Sequence, residues 1–303
     1  MSGLEAVHEV GTAVTVRADG VELFRYVYVP DHPTVESPRP YLHPLRTRGG
    51  RLVSLYRPHD HVWHKGITWS LPVVADENFW GGPTYVRGEG YVWLPNNGEQ
   101  RHVGEARVAR ADGAVTIAHD LEWITQAGER WFTEQRRLTA AIVGDDAWAL
   151  TFETELRNVR GSAIAIGSPT TRGRDNAGYG GLFWRGPRSF TNGTLVAPGV
   201  RGGDELRGQR HEWMAFVGRH DGDDASSVLL MLDDAGNLQH PPQWFARSED
   251  FAALNPAQFF SEEHEVADGG VLRLRYGVGI ADGGIDDAPN LADRVRARVR
   301  SGA

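Results

Sequence analysis

The chain has 303 residues, no cysteine and a formal net charge of −8. The length suits one large β domain or two ordinary ones, and the lack of cysteine excludes disulfides, thiolate metal sites and cysteine nucleophiles. An acidic balance without a long Lys/Arg block argues against a nucleic-acid partner, and no apolar run approaches the ~20 residues of a membrane helix.

The first residues, Met1–Val7, lack a basic start followed by an apolar core. This reads as no signal peptide and a cytoplasmic protein. Ala13–Ala18 is a β-prone run ended by Asp19-Gly20, a hairpin turn signal, and Val21–Val29 is its expected partner. Residues 30–44 hold five prolines and read as a loop. Arg51–Tyr56 reads as a strand that leads into a histidine cluster. Glu105–Ala111, Ala114–Trp123 and Trp131–Thr139 form an expected meander, separated by Asp112-Gly113 and Gln126-Ala127-Gly128 and continued by Ala147–Asn158. Ser227–Asp233 and Val271–Ala281 are late strands. Only Leu291–Arg300 has helical periodicity, and its many charges suggest a surface helix or a frayed end.

Many close-spaced strands with Gly, Asp and Asn turns predict an all-β fold, a large antiparallel β-sandwich with few helices and a short C-terminal one. No linker divides the chain, so one domain over 1–303 is expected, with 283–303 as terminal helix and tail. No Walker A loop or dinucleotide glycine fingerprint is present, and no cofactor is indicated.

The densest chemistry is His59-Asp60-His61-Val62-Trp63-His64-Lys65-Gly66. Histidine is the residue of near-neutral proton transfer and the commonest metal ligand. Extended, the segment would set His59, His61 and Trp63 on one face and Asp60 and His64 on the other; as a loop it would have no such faces. A His-x-His pair can chelate a divalent metal but needs a third ligand. Structural roles for these imidazoles are the alternative.

Three other segments carry polar and aromatic groups. His43 lies in Pro40–Thr47, where a satisfied loop histidine is the alternative. Gly178-Tyr179-Gly180-Gly181 precedes Trp184-Arg185, and an extended chain can point only one of that pair into a cleft. His240, Trp244 and Arg247 follow in a proline-fixed loop. Of the ten tryptophans, most should be core and roughly two to four should line a cleft.

Together these segments resemble the bacterial family labelled "methane oxygenase PmoA". The resemblance rests on Tyr41-Leu42-His43-Pro44, on Asp60-His61 with His64-Lys65-Gly66, on Gly178–Gly181 with Trp184-Arg185, and on His240-Pro241 with Trp244 and Arg247; it spans roughly residues 20–282. A particulate methane monooxygenase subunit sits in a membrane, for which this chain has no helix. The resemblance implies instead a soluble β-sandwich enzyme or binding protein of the kind found beside sugar-catabolic oxidoreductases. Its implied fold is similar to the galactose mutarotase-like supersandwich.

The resulting expectation is a soluble carbohydrate-active enzyme acting on a sugar or an oxidised glycoside as epimerase, lyase or hydrolase. His43, His61, His64 and His240 would supply acid and base groups. Asp60, Trp63, Lys65, Trp184, Arg185, Trp244 and Arg247 would contact the substrate, the arginines through hydroxyls or a carboxylate. The reading requires His43, His64, Arg185 and His240 to meet in space. One alternative is a non-catalytic sugar-binding protein. Another is a metal-dependent hydrolase or oxygenase using His59, His61 or His64 with Asp60.

Overall fold

The computed structural model describes residues 3–301. The first two residues of the N-terminal segment and the last two of the tail lie outside that range. Two large antiparallel sheets face one another. The first has eight strands in the order Glu5–Glu9, Ala13–Ala18, Val21–Val27, Tyr41–Leu45, Ile67–Ser70, Gly181–Arg185, Ala253–Ala257 and Gln243–Arg247. The second has nine, in the order Val200–Gly202, Thr194–Ala197, Trp213–Arg219, Ser226–Asp233, Val271–Asp282, Ala147–Asn158, Arg130–Ile142, Ala114–Ile124 and Glu99–Ala111. A three-stranded sheet and the hairpin Thr84–Val86/Gly90–Val92 lie beside them.

The expected sandwich is therefore observed, and strand alternation builds it. Inward side chains of both sheets share one apolar core, where Phe24 stacks on Trp148 at 5.4 Å and Trp184 meets Phe216 at 5.3 Å. One polar knot sits in this core. Arg136 and Glu134 are paired there, Trp123 Nε1 donates to Glu134 at 2.7 Å, and Arg136 Nη2 donates to Gln100 at 2.8 Å. Because its members are bonded to one another, their interactions offset the desolvation cost of the buried ion pair. The Asp19-Gly20 hairpin has φ of 50° and 81°, the positive pair that a tight two-residue turn needs.

Three local expectations are corrected. Residues 30–44 are not all loop, because Tyr41–Leu45 pairs with Val21–Val27 and Ile67–Ser70. Arg51–Tyr56 is not a strand but makes isolated bridges, since its backbone bonds go to different neighbours: Val53 N–H to Leu45 and Leu55 N–H to Arg185. The C-terminal helix, Ala288–Ser301, is a surface helix but not a frayed end. Leu291, Val295 and Val299 form an i, i+4, i+8 stripe buried against outward residues of the second sheet, including Ala149, Val228, Leu230 and Ala281. No helix among the described residues is long and apolar enough to cross a membrane.

Candidate active site

The first sheet turns an aromatic face outward at one end. In Gly181–Arg185 the residues alternate, so Leu182 and Trp184 enter the core while Phe183 and Arg185 face out. In Gln243–Arg247, Trp244 and Ala246 enter the core while Phe245 and Arg247 face out. Residues three apart on a strand face opposite ways, which separates Trp244 from Arg247. Trp184 and Trp244 are fully buried, and their indole N–H groups donate to the carbonyls of Val53 and His211, both at 2.7 Å. Neither offers a ring face to a substrate, so their expected stacking role is withdrawn.

Over the outward face lies a cavity of about 760 Å³. Its aromatic lining is Trp63, Trp80, Tyr91, Tyr179, Phe183, Phe245 and Phe251. Its polar lining is Asp60, His61, His64, Arg174, Asp175, Asn176, Arg207, Arg247 and Asp250. Two tryptophans thus line the cleft, within the expected range, and Trp93, 60% exposed, stands at its rim edge-on to Trp63 at 6.3 Å. Gly82 (φ +74°) lies so close beneath the Trp63 indole that an added Cβ would come within 2.7 Å of it. The backbone there acts as a plate supporting the ring.

The histidine cluster is a series of turns, not a strand. His61 N–H donates to Pro58 O and His64 N–H to His61 O, each at 2.9 Å. The turns bring His61 and His64 together, with ring centroids 4.8 Å apart and planes at 18°, where an extended chain would have set them on opposite faces. The Nδ1–H of His61 donates to Asp60 Oδ2 at 3.0 Å. A carboxylate only accepts, so a proton sits on Nδ1, and in the neutral ring Nε2 is the nitrogen that carries the lone pair. Burial works against ionisation of Asp60. Hydrogen bonds from His61, its own backbone and Arg188, with the charge of Arg185, nevertheless hold its carboxyl well below the usual range. His64 is only 4% exposed, and burial, helped by nearby His61 and Arg185, holds its imidazole well below its ordinary value. Its ring is therefore neutral, a flat wall behind His61.

The expected residues do not all gather here. Asp60, His61, Trp63, His64 and Arg247 line the cavity, and Arg185 reaches it through Asp60 and Phe251. His43 lies on the same sheet face, but its ring is stacked on Tyr56 at 5.3 Å and bonded to Ser54 at 2.8 Å. His240 is elsewhere, bonded through Nδ1 to the buried Asp233 at 2.7 Å. Lys65 points away from the cavity and forms a buried ion pair with Glu36 at 3.0 Å. The convergence of His43 and His240 with His64 and Arg185 is thus not observed. Nor is a metal-ligand set: among the described residues no three His, Asp or Glu side chains are grouped to hold an ion, and His59 is turned toward Arg188.

Arg174, Asp175, Arg207 and Asp250 escaped the sequence reading. The run Arg174-Asp175-Asn176 before the glycine segment was its one visible signal; Arg207 and Asp250 had none.

Burial also depresses His43 and His32, each to about 4, and His119 well below its ordinary value. In each case the folded state gives up its proton more readily than the unfolded chain, whose imidazoles keep the ordinary 6.5. Stability is then full above that value and lost as pH falls toward 4. Thermal melts should give a clearly lower Tm at about pH 4.5 than at about pH 7.5, and equal values would refute these assignments.

A search of curated proteins finds no match. One family model does match, over residues 13–294, and the chain therefore belongs to that family, DUF6807, a family of unknown function.

Proposed function

We propose that this chain is a carbohydrate-active enzyme in which His61, oriented by Asp60, moves a proton to or from a bound sugar. With His43 and His240 outside the cavity, the convergence that the sequence reading required is lost, and the proposal rests instead on the Asp60–His61 pair opening onto an aromatic cavity. Aromatic faces suit the C–H faces of a sugar ring, and the surrounding arginines and carboxylates suit its hydroxyls. Epimerisation, elimination and hydrolysis all need one proton removed and another delivered. Tyr91, also in the lining, is a candidate second group, its hydroxyl 2.9 Å from that of Tyr179 and bonded by Arg174. The resemblance to the PmoA-labelled family, the mutarotase-like kinship and a cytoplasmic site of action belong to this proposal.

The test is turnover of a panel of sugars and glycosides by the wild type and by His61→Ala, with circular dichroism to monitor folding. The expected outcome is product from the wild type and none from the folded variant. A variant that still turns over would sink the acid–base role. Sugar binding without any product from the wild type would favour the binding-protein alternative.

A further inference from the structure

The register of three neighbouring strands sets two rows of side chains under the cavity; Phe183, Phe245 and Arg247 line it, while Arg185 lies just behind the lining against Asp60 and Phe251. Arg185 pairs with Ala253 and Ala253 with Arg247, so two arginines flank one alanine. The adjoining row holds Phe183 and Phe245. The small Ala253 leaves room for the ring of Phe251, which lies 3.8 Å from the Arg185 guanidinium carbon and 5.3 Å from that of Arg247.

Arg185 is only 1% exposed, yet its Nε and Nη1 have no hydrogen-bond partner. Its nearest carboxylate, Asp60, is 3.8 Å from Nη2, beyond hydrogen-bonding distance. That carboxylate is already bonded by His61 at 3.0 Å and by Arg188 at 2.8 Å. A buried arginine is normally paired, and a buried N–H left unbonded costs free energy. Burial pushes this guanidinium down to about 10, against the opposing pull of Asp60. At neutral pH it remains a cation short of an acceptor. A sugar hydroxyl can take one N–H but does not balance the charge. A carboxylate does both, because its two oxygens match the guanidinium fork.

Resting on the sugar reading above, we infer that the substrate is an acidic sugar, of the uronic or aldonic class, whose carboxylate is held by Arg185, with Arg247, itself paired with Asp250, two strands away across Ala253. The cavity aromatics would take the sugar ring, and His61 would act on a carbon near the carboxylate. Arg185 then sets specificity, and the Phe251 ring, 3.8 Å from its guanidinium carbon, fixes its plane.

The experiment is isothermal titration of the full chain with D-glucuronate, D-galacturonate and D-gluconate, against D-glucose and D-galactose. At least one acid should bind roughly 10- to 100-fold more tightly than its neutral parent, the span expected of hydrogen bonds to a charged group. Arg185→Gln should bring that ratio close to one. The wild-type ratio stands as a test by itself if the variant does not fold. Neutral parents that bind as well as the acids would overturn the inference and leave the sugar reading standing. If no sugar of either kind binds, the inference and the sugar reading fall together.

Discussion

Asp60→Asn should lower turnover roughly 10²- to 10⁴-fold while leaving the cavity in place. Arg188 donates to Asp60 Oδ1 at 2.8 Å, and that bond would hold the new amide oxygen where Oδ1 now lies. The amide nitrogen would then occupy the place of Oδ2, facing His61 Nδ1. An amide N–H there would force Nδ1 to accept, moving the imidazole proton to Nε2. The nitrogen that faces the substrate would lose its lone pair. Steady-state kcat/KM, compared with His61→Ala and the double variant, reads this directly. Because the two residues act as a unit, the double variant should be little worse than either single one. Wild-type turnover by a folded Asp60→Asn enzyme would show that His61 needs no orienting carboxylate.

Gly66→Ala should be the most destabilising single methyl addition near the site, by about 4 kcal/mol or more. Gly66 has φ +59° and ends the histidine turns at the point where they enter strand Ile67–Ser70. A Cβ there would lie 2.0 Å from the carbonyl oxygen of Leu42, a backbone atom of the neighbouring strand that has nowhere to move. The same residue donates its N–H to Leu55 and accepts from Arg185 N–H, both at 2.8 Å. Any shift to relieve the clash therefore disturbs Arg185 and the turn carrying His64. Urea denaturation measures the loss, and a difference under about 1 kcal/mol would mean that the strands part more easily than this geometry allows.

The parts of the fold legible in the sequence were those where neighbouring residues decide structure. Alternating apolar runs between Asp-Gly turns marked the meander of the second sheet, because a strand buried on one face writes its pattern with period two. Arg51–Tyr56 has the composition of a strand but lacks a continuous partner, and partners are set by distant residues. In the C-terminal helix, arginines at 294, 296, 298 and 300 masked the stripe of Leu291, Val295 and Val299.

The site was legible in the same uneven way. The cluster of His61, His64 and Asp60 stood out by density alone. The rule that only one of Trp184 and Arg185 can enter a cleft was correct, and the core claimed the tryptophan. Applied to Trp244, that rule would have pointed to Phe245 and Arg247. His43 and His240 looked equivalent to His61 because composition shows residue type but not what covers a ring. Tyr56 over His43 and Asp233 against His240 are tertiary facts.

Because the floor of the cavity is the reverse side of the core, the two share one constraint on how the gene can change. Inserting or deleting a single residue in Gly181–Arg185 would exchange the two faces of that strand, driving a guanidinium into the interior and an indole into the cleft. A substitution at 183, 185, 245 or 247 changes one side chain, whereas a change in strand length shifts all of them together. Changes in length would fall on the chain that arches over them away from the Asp60–His64 turns, around Trp80–Pro83 and Arg174–Asn176. Among related chains, new substrates would be met by remodelled walls above a floor of constant length.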